Sequence, residues 1–348
     1  IAPLVGAIAA GNCAVIKPSE FAPATSRYLK GLIQAVFNEY EVAVVEGDGA
    51  LAQALIKLKF DHIFFTGSTR VGKMIMTAAA SNLASVTLEL GGKSPAFVFS
   101  SANITNAAEK IVWGKFINAG QTCIAPDYVM VEAKVFNEFI RACRDAVARF
   151  YPGGDDARIN NSDYCKIVNL SHFTRLKSIF AESLSAGANV ELGGEFDTEK
   201  LKISPTIMSE VSPDSLLMGE EIFGPILPVI KFQNADESYQ LARSHGKPLA
   251  SYIFSKDKKQ IREFITKLPA GGTCINTTVL QIANPWLPFG GVGESGMGHY
   301  HGIFGFKAFS HERGVVTQGR FSILAFVVPP YSNKVKTLVK WFLKFLSF

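Results

Sequence analysis

The stretch "KFINAGQTCIAPDYV" (115–129) sets one thiol, Cys123, among small and polar neighbours, with an Ala-Pro pair just beyond it. A cysteine in such a place is a small buried hydrophobe, half of a disulfide, a metal ligand or a nucleophile. A nucleophilic thiol needs accessible, polar surroundings and a base within reach. A carboxylate suited to that task stands upstream. Glu89 lies in "TLELGGKSP" (87–95), between Leu88 and Leu90. Burying a carboxylate among apolar residues raises its pKa and makes it a better base near neutral pH. The alternative is an edge strand with Glu89 turned to water. Gly91 and Gly92 would let a ligand or another backbone approach closely.

Three further segments carry polar groups at the ends of apolar runs. "VIKPSE" (15–20) holds Lys17 and Glu20, a pair suited to the hydroxyls of a ribose. A Glu beside the 2′ position favours an unphosphorylated cofactor, because it repels a phosphate. "FFTGSTRVGKM" (64–74) reads as strand, turn and helix start, where backbone N–H groups and the helix dipole attract a pyrophosphate. Its GxxxxGK spacing comes close to a nucleotide-hydrolysing loop, but Met74 stands where Ser or Thr would hold magnesium. An ordinary strand-to-helix turn is the plainer reading. In "GEEIFGPILPV" (219–229), Glu221 and Phe223 alternate, so both could point into one cleft.

These residues need a scaffold, and the hydrophobic pattern supplies one. Strand-like runs at 13–18, 42–46 and 62–67 alternate with helix-like stretches at 23–37, 49–58 and 71–80. The strands are nearly continuous apolar runs, the pattern of a parallel sheet covered on both faces. "SVTLELGG" and "SPAFVFS" are again strand-like. Helices are expected at 104–118, 134–150, 172–187 and near 257–268, and strands at 227–232, 249–255 and in "GGTCINT". "PFGGVGESGMG" (288–298) reads as a glycine-rich loop. No internal repeat is evident.

Composition narrows the function. The 348 residues are 48% hydrophobic and 19% charged, so a packed core is expected. The net charge of +5 is concentrated at the end, where Lys334, Lys336, Lys340 and Lys344 occur with no acidic residue beyond Phe321. The nearly neutral remainder argues against nucleic-acid binding. Five widely spaced cysteines without a CxxC pair argue against a disulfide framework and a zinc site. His299 and His301 lack an evident third ligand, so no metal is expected. A reducing, intracellular compartment fits. The chain opens at Ile1 with small apolar residues and no charged region before them, unlike a signal peptide. We expect a chain whose start is cut. "FSILAFVV" (321–328) is short of the ~20 residues that span a bilayer. "NKVKTLVKWFLKFLSF" (333–348) places Lys336, Lys340 and Lys344 opposite Val335, Leu338, Val339, Phe342, Phe345 and Leu346. That is a basic amphipathic helix for a membrane surface, or a helix docked on the protein's own core.

Taken in order, "KPSE", "FTGSTRVGK", "LELGGKSP", "GQTCIAPDYV", "EEIFGP", "PFGGVGESGMG" and "FSHERGV" resemble the aldehyde dehydrogenase superfamily over nearly the whole chain up to the tail. The "TCIAPDY" form and the "GHYHG…FSHER" ending are most similar to its class 3, fatty-aldehyde branch. The resemblance implies an α/β fold. It has an incomplete parallel Rossmann-type cofactor domain (1–90), an α/β catalytic domain (91–300) and an oligomerisation arm (301–320), followed by a membrane-associating tail (321–348). It implies oxidation of medium- or long-chain aldehydes to acids with NAD, or NADP. Cys123 would be the nucleophile and its N–H an oxyanion donor, while Glu89 would activate water against the thioester. Lys17 and Glu20 would hold the adenosine ribose. Gly67, Ser68, Val71 and Gly72 would meet the pyrophosphate. Glu221 and Phe223 would position the nicotinamide ribose and ring. A homodimer follows from the family, and so does placement at the cytosolic face of the endoplasmic reticulum or another organelle. The stretch "AFSHERGVV" (308–316) is strand-like and could pair across the dimer interface.

Two departures stand out. The family's first segment, with an oxyanion-hole asparagine, would fall before Ile1. Gln281 stands where many class 3 members carry a histidine, which bears on substrate preference. The competing expectations are an acylating dehydrogenase that passes the thioester to coenzyme A, and an inactive truncated chain acting as a membrane-bound partner. The base at Glu89 speaks against the first.

Overall fold

The structure is a computed structural model and describes residues 1–320, 322 and 328–346. By its internal contacts the chain forms one unit over Ile1–Ser310 and a second over His311–Phe348.

The first unit opens with α1 (Ala2–Ala9), β1 (Ala14–Ile16), α2 (Pro23–Gln34), β2 (Val42–Val44), α3 (Gly49–Leu55), β3 (His62–Thr66), α4 (Thr69–Ala80) and β4 (Ser85–Glu89). There follow β5 (Pro95–Val98), α5 (Ile104–Phe116), β6 (Tyr128–Glu132), α6 (Phe136–Phe150), α7 (Asp155–Asn160), α8 (Leu170–Ser185) and β7 (Asn189–Leu192). A small hairpin of β8 (Phe196–Asp197) and β9 (Lys202–Ile203) leads to β10 (Thr206–Ser209), α9 (Leu216–Gly219) and β11 (Ile226–Phe232). The unit closes with α10 (Ala235–Ser244), β12 (Ala250–Phe254), α11 (Lys258–Lys267), β13 (Gly272–Ile275), β14 (Gly296–Met297) and α12 (Gly302–Ala308).

The main sheet has the order β13-β12-β5-β6-β11-β10-β7. It is parallel except for the β10–β7 pair. Its central strands are buried along their length, as a sheet covered on both faces demands. Helices α5 and α6 supply much of the cover through Ile104, Ala108, Ile111, Phe139, Cys143 and Val147. A second sheet joins β3 and β4 in parallel, with β14 antiparallel on the far side of β4. β1 and β2 form their own parallel pair.

The alternation of strand and helix was legible, and the boundaries fall within a few residues of those expected. Three features differ. Strand β6 is central, yet its sequence merges with the cysteine motif and hides behind it. The cofactor-side strands do not make one sheet: among the described residues β1–β2 is not hydrogen-bonded to β3–β4. The stretch 308–316 is not a strand, for α12 runs to Ala308 and residues 310–319 are irregular. An extended segment needs a partner ladder, and among the described residues of the single chain this one has none. In the second unit, α13 (Asn333–Leu346) is the amphipathic helix expected of the tail. The apolar run 321–328 lies mostly outside the described residues. No helix among the described residues is long and apolar enough to cross a membrane.

Candidate active site

Cys123 sits in a tight turn between α5 and β6. Ala125 N–H donates to Thr122 O at 3.0 Å, with Cys123 and Ile124 between them. The approach to that turn is strained. Asn118, Ala119 and Gly120 take positive φ in succession, at 52°, 50° and 72°. Such conformations cost free energy in residues other than glycine and persist where the surroundings enforce them. Gly120 shows why the chain accepts this. A Cβ there would lie 2.2 Å from Gly224 O, so the loop before Cys123 presses against the backbone that follows Phe223. Phe223 is itself half-buried at φ 47°.

A second close approach brings in the other motif. A Cβ on Gly91 would fall 2.0 Å from Oε2 of Glu221. Glycine at 91 thus lets the Glu221 carboxyl group rest on the main chain two residues past Glu89. Below this contact, Lys93 ties three segments together. Its ammonium pairs with the Asp127 carboxylate and donates to Leu217 O and Glu220 O, each at 2.9 Å. Asp127 accepts from Ile222 N at 3.0 Å, and its own N–H donates to Ser94 O at 2.8 Å. Lys93 and Asp127 are both buried. Neither had been singled out from the sequence, although both lie inside the quoted motifs.

Glu89 ends β4 and is only 4% exposed. Its strand is flanked by β3 and by β14, with Gly296 opposite Glu89, so the water-facing edge strand is ruled out. Neither carboxyl oxygen has a hydrogen-bond partner among the described residues. Burial pushes its pKa up to about 8. Glu221 is likewise pushed up to about 8 by burial, with Asp127 adding to it, while the Gly92 N–H, Lys93 and Lys115 oppose. Both carboxyl groups bear electrostatically on Cys123. Burial first, then Glu221 and Glu89, drive that thiol up to about 11, and the N–H groups of Cys123 and Ile124 pull the other way. The thiol is therefore not activated in isolation. It is a neutral thiol within the electrostatic reach of two carboxyl groups that become proton acceptors as pH rises through about 8. Tyr300 belongs to the same group: its hydroxyl is raised to about 12 by burial, with Glu89 and Cys123 contributing.

Lys115 escaped the sequence reading. It is 0% exposed, in the last turn of α5, and its Nζ has no hydrogen-bond partner among the described residues. Burial lowers its pKa to about 8. The available signal was its register: Lys115 continues the buried stripe of Ile104, Ala108 and Ile111 at helical spacing.

The remaining expected residues cluster at strand ends. Lys17 lies one residue beyond β1 and pairs with Glu20 at 2.6 Å, which holds the Glu20 carboxyl below its usual range. Gly67 follows β3, and Ser68 caps α4 by accepting from Val71 N at 3.4 Å. Gly72 also has a packing place. It is buried, and a Cβ there would come 2.7 Å from Leu90 Cδ2. It lets α4 pack closely on the end of β4. The carboxyl ends of parallel strands, with a helix start at one of them, are where open α/β folds take a dinucleotide. The residues present fit such a group. Among the described residues no cluster of potential metal ligands occurs.

The fold, the strained cysteine turn and the paired carboxyl groups define one class: the chain belongs to the aldehyde dehydrogenase family, oxidoreductases that act on aldehydes, whose family model matches residues 1–315. It is 45% identical over 340 residues to a 4,4'-diaponeurosporen-aldehyde dehydrogenase of Staphylococcus aureus, covering 98% of this chain and 73% of that one. It is 42% identical over 343 residues to the mouse aldehyde dehydrogenase family 3 member A2, covering 98% and 69%. Among solved structures, the substrate-bound state of Staphylococcus aureus AldH superposes with a TM-score of 0.92 at 45% identity, covering 98% and 73%. The NAD-dependent aldehyde dehydrogenase of Sinorhizobium meliloti gives 0.81 at 33%, covering 89% and 62%. The chain thus spans about seven tenths of these two curated relatives and less than two thirds of the last structure. These likenesses make NAD(P) the cofactor of the fold.

Proposed function

We propose that this chain oxidises medium- or long-chain aldehydes to carboxylic acids. The observation that carries the reading is the convergence of Cys123 with Glu89 and Glu221, two carboxyl groups whose burial makes them bases near pH 8. Cys123 Sγ bonds to the aldehyde carbon, and its proton passes to one of the facing carboxylates. In this reading the Cys123 N–H stabilises the resulting oxyanion. When bound, nicotinamide supplies the acceptor for the hydride that leaves that carbon. The acyl group then remains on Sγ as a thioester. Glu89 takes a proton from water as the water oxygen bonds to the acyl carbon, the C–S bond breaks and the acid departs. A buried, unpaired carboxyl group beside the thiol suits hydrolysis rather than transfer to another thiol. In this reading Lys17 and Glu20 hold the adenosine ribose, and Gly67, Ser68 and Val71 meet the pyrophosphate. Glu221 and Phe223 address the nicotinamide ribose and ring.

The tail supports an apolar substrate. Helix α13 exposes Leu338, Trp341, Phe342, Phe345 and Leu346 beside its lysines. We take it to lie on an anionic membrane surface facing the cytosol. The exposed Val315 and Val316 favour a homodimer that covers them. The test is formation of reduced cofactor from NAD or NADP with straight-chain aldehydes of increasing length. A kcat/KM that rises with chain length, and is abolished in Cys123→Ser, is expected. Absence of reduced cofactor in the folded chain with every aldehyde would overturn the reading.

A further inference from the structure

The cysteine turn is held by a hydrogen-bond relay that begins in the main sheet and has one possible direction. Tyr252 on β12 and Cys274 on β13 are cross-strand partners. Gln281, in the turn Leu280–Ala283, bridges them. The Cys274 thiol donates to Gln281 Oε1 at 2.8 Å, and Gln281 Nε2 donates to the Tyr252 hydroxyl at 3.2 Å. Tyr252 in turn donates to the main-chain O of Ile124. Tyr252 is 0% exposed, and burial keeps its hydroxyl protonated. The polarity follows from the groups. Ile124 O can only accept, so Tyr252 must donate to it and must receive its other hydrogen bond from the amide N–H of Gln281, which leaves the amide oxygen for the Cys274 thiol proton. The single hydroxyl proton of Tyr252 is then committed to Ile124 O. That carbonyl belongs to the turn that carries Cys123.

We propose that Tyr252, oriented by Gln281 and Cys274, is a positioning residue that fixes the turn presenting the Cys123 thiol. The proposal rests on reading Cys123 as the nucleophile. It gives Gln281 a role the sequence did not suggest: it donates to Tyr252, whose hydroxyl in turn holds the carbonyl of the residue next to Cys123.

Isosteric variants separate direction from packing. Glu in place of Gln281 accepts from both neighbours, so it draws the Tyr252 proton away from Ile124 O. Phe in place of Tyr252 removes only the hydroxyl. Neutral His in place of Gln281 accepts from Cys274 and donates to Tyr252, and so preserves the direction. We would measure, at pH 8 on the full chain, the rate of iodoacetamide alkylation at Cys123, resolved by mass spectrometry, beside kcat and KM for an aldehyde. Exposed Cys13, far along the chain from the turn, is the internal reference, because the Cys165 thiol is hydrogen-bonded to Asn118 of the turn's own approach. Loss of one well-placed hydrogen bond changes a rate by about tenfold. Gln281→Glu and Tyr252→Phe should each shift Cys123 alkylation and kcat by about that factor, with KM and Cys13 alkylation unchanged, and Gln281→His should restore both. Should Tyr252→Phe fail to fold, the Glu and His variants at position 281 still decide. Folded Gln281→Glu with parental alkylation and kcat would overturn the proposal, as would a Gln281→His variant as impaired as Gln281→Glu. A chain without dehydrogenase activity whose Cys123 alkylation still follows this order would retain the relay and reject the oxidation chemistry.

Discussion

The Cα of Gly91 lies directly against the carboxyl group of Glu221, close enough that a Cβ would stand 2.0 Å from Oε2. One glycine thereby allows the segment bearing Glu89 and the segment bearing Glu221 to share a site with Cys123.

Gly91→Ala should therefore expel the Glu221 side chain while leaving the sheets formed. A displacement of about 1 Å at reacting groups costs roughly a hundredfold in rate. We expect a loss of that order in kcat/KM, with unchanged far-ultraviolet circular dichroism. Parental activity in Gly91→Ala would show that Glu221 has another way to fit.

The Lys93–Asp127 pair is buried and anchors three motifs. Removing one partner leaves an uncompensated charge, at a cost of about 3–5 kcal/mol. Lys93→Met should lower the urea midpoint sharply. Lys93→Met combined with Asp127→Asn should cost less than the two single changes added together, because the partners are coupled. Additive costs in urea unfolding would mean that the two side chains act independently.

Glu89 links stability to pH with a defined sign. Its folded pKa, about 8, lies above its ordinary value of 4.5. Folding therefore favours the protonated form. Its stabilising effect is complete below pH 4.5 and is lost as pH rises through about 8. Glu89→Gln should melt closer to the parent at pH 5 and above it at pH 9. The same pKa predicts that thioester hydrolysis quickens as pH rises through about 8. A melting difference that stays constant with pH would contradict the burial of this carboxyl group.

Lys115 carries the opposite linkage. Its folded pKa, about 8, lies below the ordinary 10.5. The charged form is penalised in the folded chain, increasingly as pH falls from 10.5 through about 8. Lys115→Met should then be more stable at pH 7, by at most roughly 3 kcal/mol. It should also raise the Glu221 pKa, which Lys115 holds down. A less stable variant would show that the ammonium group is held by partners beyond its electrostatic neighbours.

Much of this was written in the sequence, for physical reasons. Continuous apolar runs alternating with helical stretches announced the parallel sheet, and Glu89 between two leucines announced a buried carboxylate. The rest depends on distance in space. Nothing along the chain says that Gly120 would meet Gly224 or Gly91 would meet Glu221, because close approach belongs to pairs of segments. The packing of Gly72 against Leu90 is another such pair. The β6 strand was hidden inside a motif read for chemistry. Lys115 was overlooked because lysine on a buried stripe contradicts its usual place. The stretch 308–316 has strand composition but no ladder partner among the described residues, and composition alone cannot supply one.

The central claim is that Cys123 carries the acyl group and Glu89 releases it. The direct measurement is a rapid-quench experiment on Glu89→Gln with NAD and a long-chain aldehyde, following reduced cofactor and the mass of the peptide that contains Cys123. The account predicts one burst of reduced cofactor per site, then a stall, with the acyl mass retained on Cys123. Steady turnover without an acyl adduct, or an adduct on any other residue, would contradict it.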